Sequence, residues 1–252
     1  MYDHPGLAVS VVIPCYDEEA VIERTVIRVA AALAAVTDRY EIVVGDDGST
    51  DDSPRILAEL AANRSDLDVV SCRHVGMGHV CRQMYARVRG AAVIQMDADL
   101  AMDPAESIPQ ILAALEHADC VSASRFSGIE ADYPWRRRVA SRAFRLFSRA
   151  LLDLPVDDTQ SGSFGIDRDV LQSLPLQADG FEIHVEMFAQ LGWRGCTVVE
   201  IPVRFVHQTE SGEVSVLRSG PKMVMGTFRI WRTLRRLRAA SPVPVVRAAD
   251  AR

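Results

Sequence analysis

The stretch IQMDADLAMD, residues 94–103, changes character in its middle: an apolar run suited to a buried strand gives way to three acids, Asp97, Asp99 and Asp103. A solvated turn would account for any one of them. A metal seat would account for several, because Mg2+ and Mn2+ take oxygen ligands, commonly one or two carboxylates completed by substrate phosphates and water. The choice depends on what the other strand ends of the same sheet carry.

Outward from this stretch, short apolar runs alternate with helical patterns, which is the signature of βαβ units, a parallel sheet and an α/β fold. The runs are LAVSVVIP (7–14), YEIVVGDD (40–47), LDVVSC (67–72), AAVIQMD (91–97) and ADCVSAS (118–124); helices are expected at 19–36, 53–63, 78–89 and 104–116. Right-handed crossovers put the strand C-termini along one edge, where ligands of open α/β sheets bind. PCYDE (14–18), DDGSTDD (46–52) and DAD (97–99) each follow a strand directly and converge on that edge. Gly48, Ser49 and aspartates also make ordinary turns and caps, so each segment alone reads as a turn. Three together point to a binding edge. Asp97 and Asp99 can approach one metal, Asp46 and Asp47 can accept hydrogen bonds from a base or ribose, and the Pro14–Tyr16 turn can lay a ring beside the base.

Composition narrows the class. The 252 residues, 48% apolar, suit one globular unit, and the net charge of −6 divides into 20 acids against 9 Lys+Arg in residues 1–120 and 14 against 19 in 121–252. An acidic half suits a cation and a basic half suits anions such as phosphates. The acidic total, and the lack of any single-strand-binding pattern of aromatics among the basic residues, argue against nucleic acid as a partner. No apolar run is long enough to cross a bilayer, and the start of the chain does not read as a signal peptide. Five scattered cysteines, Cys15, Cys72, Cys81, Cys120 and Cys196, read as reduced thiols of a cytoplasmic protein.

VSVVIPCYDE, YEIVVGDDGSTDDS, GMGHVCRQMYARVRGAAVIQMDADL and VSASRF together resemble the successive motifs of family 2 glycosyltransferases, in the dolichyl-phosphate mannose synthase branch, with a likeness running from Ala8 to Leu217. The resemblance implies a GT-A fold, with a mostly parallel central sheet and helices on both faces. It also implies a nucleotide-sugar donor (GDP- or UDP-hexose), a divalent metal (Mg2+ or Mn2+) on the DxD carboxylates, and inverting transfer, commonly onto a polyprenyl phosphate at the cytoplasmic face of a membrane. By the same resemblance Pro14, Tyr16 and Glu18 meet the nucleoside, and Asp46 matches the acid that follows the second strand. Asp97 and Asp99, with Ala98 between them, meet metal and sugar diphosphate, and Arg125 lies near the diphosphate or sugar. Asp158 and residues 161–164 would border the sugar, and Glu186 matches the family's late glutamate. Ala101 stands where a close relative has a third metal ligand, so water would take that place.

The second half divides between two acceptors. Arg138, Arg142, Arg145 and Arg149 form one stripe of a helix whose other face is apolar, and residues 222–238 repeat the theme. A cationic stripe beside an apolar one suits a lipid phosphate or an anionic membrane surface, with Arg138 and Arg142 as the phosphate contacts; a solvated helix over the core has the same pattern. Against the lipid, Gln208 replaces the arginine that the branch carries after its last strand, and Val214–Ser215 replaces Ser-Lys. A soluble hydroxyl acceptor would need a base, for which Asp158 or Glu186 is the candidate. A catalytically inactive nucleotide binder is a further alternative. The expected organisation is a single domain over 1–238, with a nucleotide and metal half (1–124), an acceptor half (125–238) and a disordered tail (239–252).

Overall fold

The computed structural model describes residues 6–124, 146–152, 154–156, 158, 162–204 and 216–240, with side chains of the last segment described over 224–236. Arg125, Arg138, Arg142, Arg145, Ser161, Gln208, Val214–Ser215 and the tail beyond Ala240 lie outside the described residues.

The elements follow in the order β1 (Val9–Cys15), α1 (Ile22–Ala34), β2 (Tyr40–Asp46), α2 (Ser53–Ala62), β3 (Leu67–Ser71), α3 (Met77–Tyr85), β4 (Ala92–Gln95), α4 (Pro104–Leu115) and β5 (Cys120–Ser124). After a helical stretch at 146–152 come β6 (Phe164–Asp167), α5 (Arg168–Ser173), α6 (Ile183–Arg194), β7 (Val198–Pro202) and α7 (Val216–Ala240). One seven-stranded sheet forms, in the order β3-β2-β1-β4-β6-β5-β7. Only β6 runs against its neighbours β4 and β5. The parallel sheet expected from the first half is therefore present, with one reversed strand contributed by the second.

Period-2 alternation sends the strand side chains to two cores. Val9, Val11, Ile13, Ile42, Val44, Ala92 and Ile94 meet α1 and α4 on one face. Val12, Val43, Val70, Val93, Phe164 and Ile166 meet α3, α6 and α7 on the other. Both faces of the sheet are covered, which is why its strands read as nearly unbroken apolar runs. Gly45 lets α3 approach β2, since a Cβ there would come within 2.5 Å of Val80 and 2.8 Å of Met84. Most boundaries fall within a few residues of the sequence reading. β4 ends at Gln95, so Asp97 lies beyond the strand; α3 stops at Tyr85 rather than Arg89; and α7 runs to Ala240, taking in two residues assigned to the tail.

Candidate active site

The three acids of the opening stretch have different roles. Asp103 is the N-cap of α4, its side chain accepting from Ala105 N at 3.0 Å ahead of Pro104 at the first turn, and it pairs with Arg28 at 3.1 Å. Asp97 and Asp99 sit on a turn closed by Leu100 N donating to the Asp97 carbonyl at 3.1 Å. Leu100 takes a left-handed φ of 50° and buries its side chain, while Thr25 of α1 donates its hydroxyl to the Ala98 carbonyl at 2.5 Å. The turn is thus held from beneath by the core and from the side by α1, and its two carboxylates are half-buried.

Glu18 lies beside this turn. Burial, and then the negative charges of Asp99, Asp51 and Asp17, push its carboxyl up to about 7. A Cβ added at Gly162 (φ 68°) would overlap both oxygens of Asp97, so that glycine's backbone lies directly against the carboxylate. All-oxygen donors with mutually repelling charge suit a hard divalent cation. Among the described residues no three His, Cys, Asp or Glu side chains gather to ligate a metal unaided. Asp97 and Asp99 fit a cation that also takes diphosphate oxygens.

The loops after β1 and β2 are laced together reciprocally. Asp17 N donates to Ser49 Oγ (2.9 Å), Glu18 N to Ser53 Oγ (2.9 Å) and Glu19 N to Asp51 Oδ2 (2.9 Å), while Thr50 N returns to Asp17 Oδ1 (2.7 Å) and Asp52 N to Glu19 Oε2 (2.8 Å). Much of DDGSTDD is therefore structural, with Gly48 at a φ of 74° supplying the bend. Asp46 and Asp47 are both buried. Asp46 Oδ1 accepts from Ser49 N at 3.0 Å; Asp47 Oδ1 accepts from Val75 N and Gly76 N at 3.2 and 3.3 Å, ordering the loop that leads into α3.

Sequence reasoning missed His74. Its ring stacks on the exposed Tyr16 with centroids 4.3 Å apart, and its Nδ1 lies 3.0 Å from Asp47 Oδ2. Pro14, half-buried, is the penultimate residue of β1, two residues before Tyr16. Tyr16 and His74 form a stacked aromatic pair, 30° between ring planes, at the expected nucleoside end, and the only signal for it was a histidine in the loop after β3.

Glu186 is buried, on the inward face of α6. Its Oε2 accepts from Gln177 N (2.9 Å) and Ala178 N (2.8 Å), and Gln190 Nε2 lies 3.4 Å from Oε1. Burial raises its pKa, opposed by the two amides. Residues 177–179 in turn cover the start of α3: Asp179 O accepts from Gly78 N at 2.8 Å, and Arg82 binds Asp179 Oδ1 at 2.6 Å and the Ala178 carbonyl. Asp158, also buried, donates its N–H to Glu200 Oε1 at 3.0 Å and accepts from Ser122 Oγ at 3.4 Å through its carbonyl. Ser122 pairs with Phe164, which pairs with Gln95, so Asp158 lies near the level of Gln95, two residues short of Asp97 and about two strand spacings (~10 Å) across the sheet.

The glycosyl transferase family 2 sequence profile matches residues 10–174. Polyprenol monophosphomannose synthase of Mycolicibacterium smegmatis is 31% identical over 211 residues, covering 79% of this chain and 77% of that protein. Dolichol-phosphate mannosyltransferase of Saccharomyces cerevisiae is 27% identical over 80% of this chain and 78% of its own length. Glycosyltransferase AglD of Haloferax volcanii is 28% identical over 90% of this chain, which spans 37% of AglD's length. Among solved structures, glucosyl-3-phosphoglycerate synthase of Mycobacterium tuberculosis, in complex with Mn2+, UDP and phosphoglyceric acid, superposes with a TM-score of 0.66 at 23% identity over 89% of this chain and 77% of that one. That likeness gives the fold, GT-A. The profile takes in the β1 and β2 loops and the DAD turn, the elements that form the acidic edge, and with them the chain belongs to glycosyl transferase family 2.

Proposed function

We propose that the protein is an inverting, metal-dependent hexosyltransferase that moves a hexose from a GDP- or UDP-sugar to a polyprenyl phosphate. The observation that carries this reading is the DAD turn at the C-terminal edge beside the carboxylate-crowded Glu18, in a chain 31% identical to a polyprenol monophosphomannose synthase. Asp97 and Asp99 would hold Mg2+ or Mn2+, which when bound offsets the charge of the leaving nucleoside diphosphate. Tyr16 and His74 receive the base, and Pro14, Asp46 and Asp47 shape the pocket around ribose and base. Arg125 supports the diphosphate. The acceptor oxygen attacks the anomeric carbon from the face opposite the diphosphate, and carboxylates near the sugar, Asp158 first, stabilise its developing positive charge. A phosphate acceptor brings its own nucleophilic oxygen. Glu186, bound to backbone amides, serves by holding residues 177–179 over α3.

The lipid reading has support in α7. Gly226, Thr227, Ile230 and Leu234 face the protein, while Val224, Met225 and Phe228 are exposed beside Arg229, Arg232, Arg235 and Arg236. No described helix is long and apolar enough to cross a membrane. An apolar patch flanked by arginines suits peripheral contact with an anionic surface. The test is a panel of GDP- and UDP-hexoses with Mn2+ or EDTA, offered polyprenyl phosphate or soluble alcohols. Metal-dependent transfer to the lipid is expected. Transfer only to a soluble alcohol would replace the acceptor and make Asp158 the base to test, and nucleotide binding without turnover would make the protein a binder.

A further inference from the structure

Beneath the DAD turn, on the sheet face covered by α3 and α6, lies a buried polar cluster that the proposed chemistry does not use. Gln95, the last residue of β4, is fully buried two residues before Asp97. Its Oε1 accepts from the Tyr85 hydroxyl at 2.5 Å and from Cys81 Sγ at 3.6 Å; its Nε2 lies 2.9 Å from the Gly162 carbonyl and 2.7 Å from His184 Nε2. A carbonyl only accepts, so the amide nitrogen faces Gly162, and His184 Nε2 must then accept as well, leaving the ring proton on Nδ1. All four hydrogen-bonding positions of the amide are matched. Burial, which pushes the pKa of His184 down to about 4, keeps that ring neutral.

An apolar side chain would fill this space without needing four partners, whereas a fully matched buried amide imposes one geometry on everything it touches. Here it touches Gly162, whose backbone lies directly against both oxygens of Asp97. The carboxylate is thereby held from two sides: through the strand that Gln95 ends, and through the loop that Gln95 binds. We propose that Gln95 is a positioning residue for the metal seat, fixing the Gly162 backbone against Asp97 so that the carboxylate keeps the orientation in which it meets the cation. This rests on the assignment of Asp97 as a metal ligand.

The test compares two substitutions on one amide. Gln95→Met removes the arm to Gly162 while keeping length and volume; Tyr85→Phe removes a bond to the opposite end of the amide and leaves that arm intact. Mn2+ binding is read by electron paramagnetic resonance titration with GDP or UDP present, and nucleotide binding without metal by calorimetry. Gln95→Met is expected to weaken Mn2+ binding by about 10- to 100-fold, as loss of a group supporting a ligand commonly does, with the Mn2+ requirement for turnover rising in parallel and metal-free nucleotide affinity unchanged. Tyr85→Phe is expected to lower the melting temperature and leave Mn2+ binding as it was. Loss of stability in both variants with Mn2+ binding unchanged in both would make the cluster core structure alone and overturn the proposal. Wild-type protein that takes up no Mn2+ with either nucleotide would overturn the metal seat, and the positioning role with it. Should Gln95→Met fail to fold, Gln95→Glu keeps the shape and the acceptor toward Tyr85 without the NH2 group; unchanged Mn2+ binding in that variant would equally overturn the proposal.

Discussion

The two ends of the parallel strands treat buried acid differently. At the N-terminal end, Glu41 of β2 is buried and accepts from Ser10 Oγ (2.6 Å), Arg89 N (2.7 Å) and Arg89 Nε (2.7 Å). At the C-terminal end, Asp46 and Asp47 bind backbone amides of the loops, and Glu18 is pushed up by Asp99, Asp51 and Asp17 after burial itself. One end neutralises its carboxylate with an arginine from the same chain. The other gathers negative charge that a bound cation would relieve. The same residue types thus build an arginine-paired foot and an acid-crowded edge, and the contrast can be broken in four ways.

The largest effect is expected for Asp99→Asn. Loss of one charged ligand should cost several kcal/mol of leaving-group stabilisation, seen as loss of transfer and of Mn2+-dependent nucleotide binding at an unchanged melting temperature. Metal-dependent turnover that survives this change would return Asp99 to an ordinary turn.

Acid should loosen the sheet beneath the DAD turn. Folded His184 titrates near 4 against 6.5 for the ordinary side chain, so the unfolded chain binds the extra proton first as pH falls. Its contribution is present above pH 6.5 and is lost progressively toward pH 4, by at most about 3 kcal/mol. Glu18, raised to about 7, contributes the opposite slope over most of this range, so the readout is the difference between variants: in urea titrations His184→Gln should gain stability relative to wild-type protein as pH falls from 6.5 to 4, and a pH-independent difference would assign the pH dependence elsewhere.

Glu41→Ala and Asp46→Ala should separate the two ends directly. Each removes hydrogen bonds to a carboxylate, worth roughly 1.5–3 kcal/mol. At Glu41 the loss should appear in unfolding free energy with nucleotide affinity intact; at Asp46 it should appear in nucleotide affinity with or without metal. A Glu41 variant that weakens nucleotide binding would erase the distinction.

The smallest effect concerns α7. Arg232→Gln with Arg236→Gln should lower sedimentation with anionic vesicles by about 1 kcal/mol per arginine at low salt, with donor hydrolysis unchanged. Binding that ignores both charge and salt would reduce this face to a solvated helix.

Strand and helix periodicity, the acids at strand ends and the likeness of successive motifs are all local patterns, so the amino-acid order alone determined an α/β sheet and the gathering of its acid-rich segments, DAD among them, after the strand ends. It could not tell which acids the protein uses on itself. Asp103 as a helix cap, Asp47 as the anchor of the loop after β3, and Glu186 as the support of residues 177–179 depend on partners that are remote in sequence or on backbone amides whose direction only the fold sets. The reversed β6 was equally hidden, because a four-residue strand carries no record of its direction. The role of Gln95 was beyond reach for the same reason: its amide gains meaning only when α3, α6 and the Gly162 loop, up to 89 residues away, close around it.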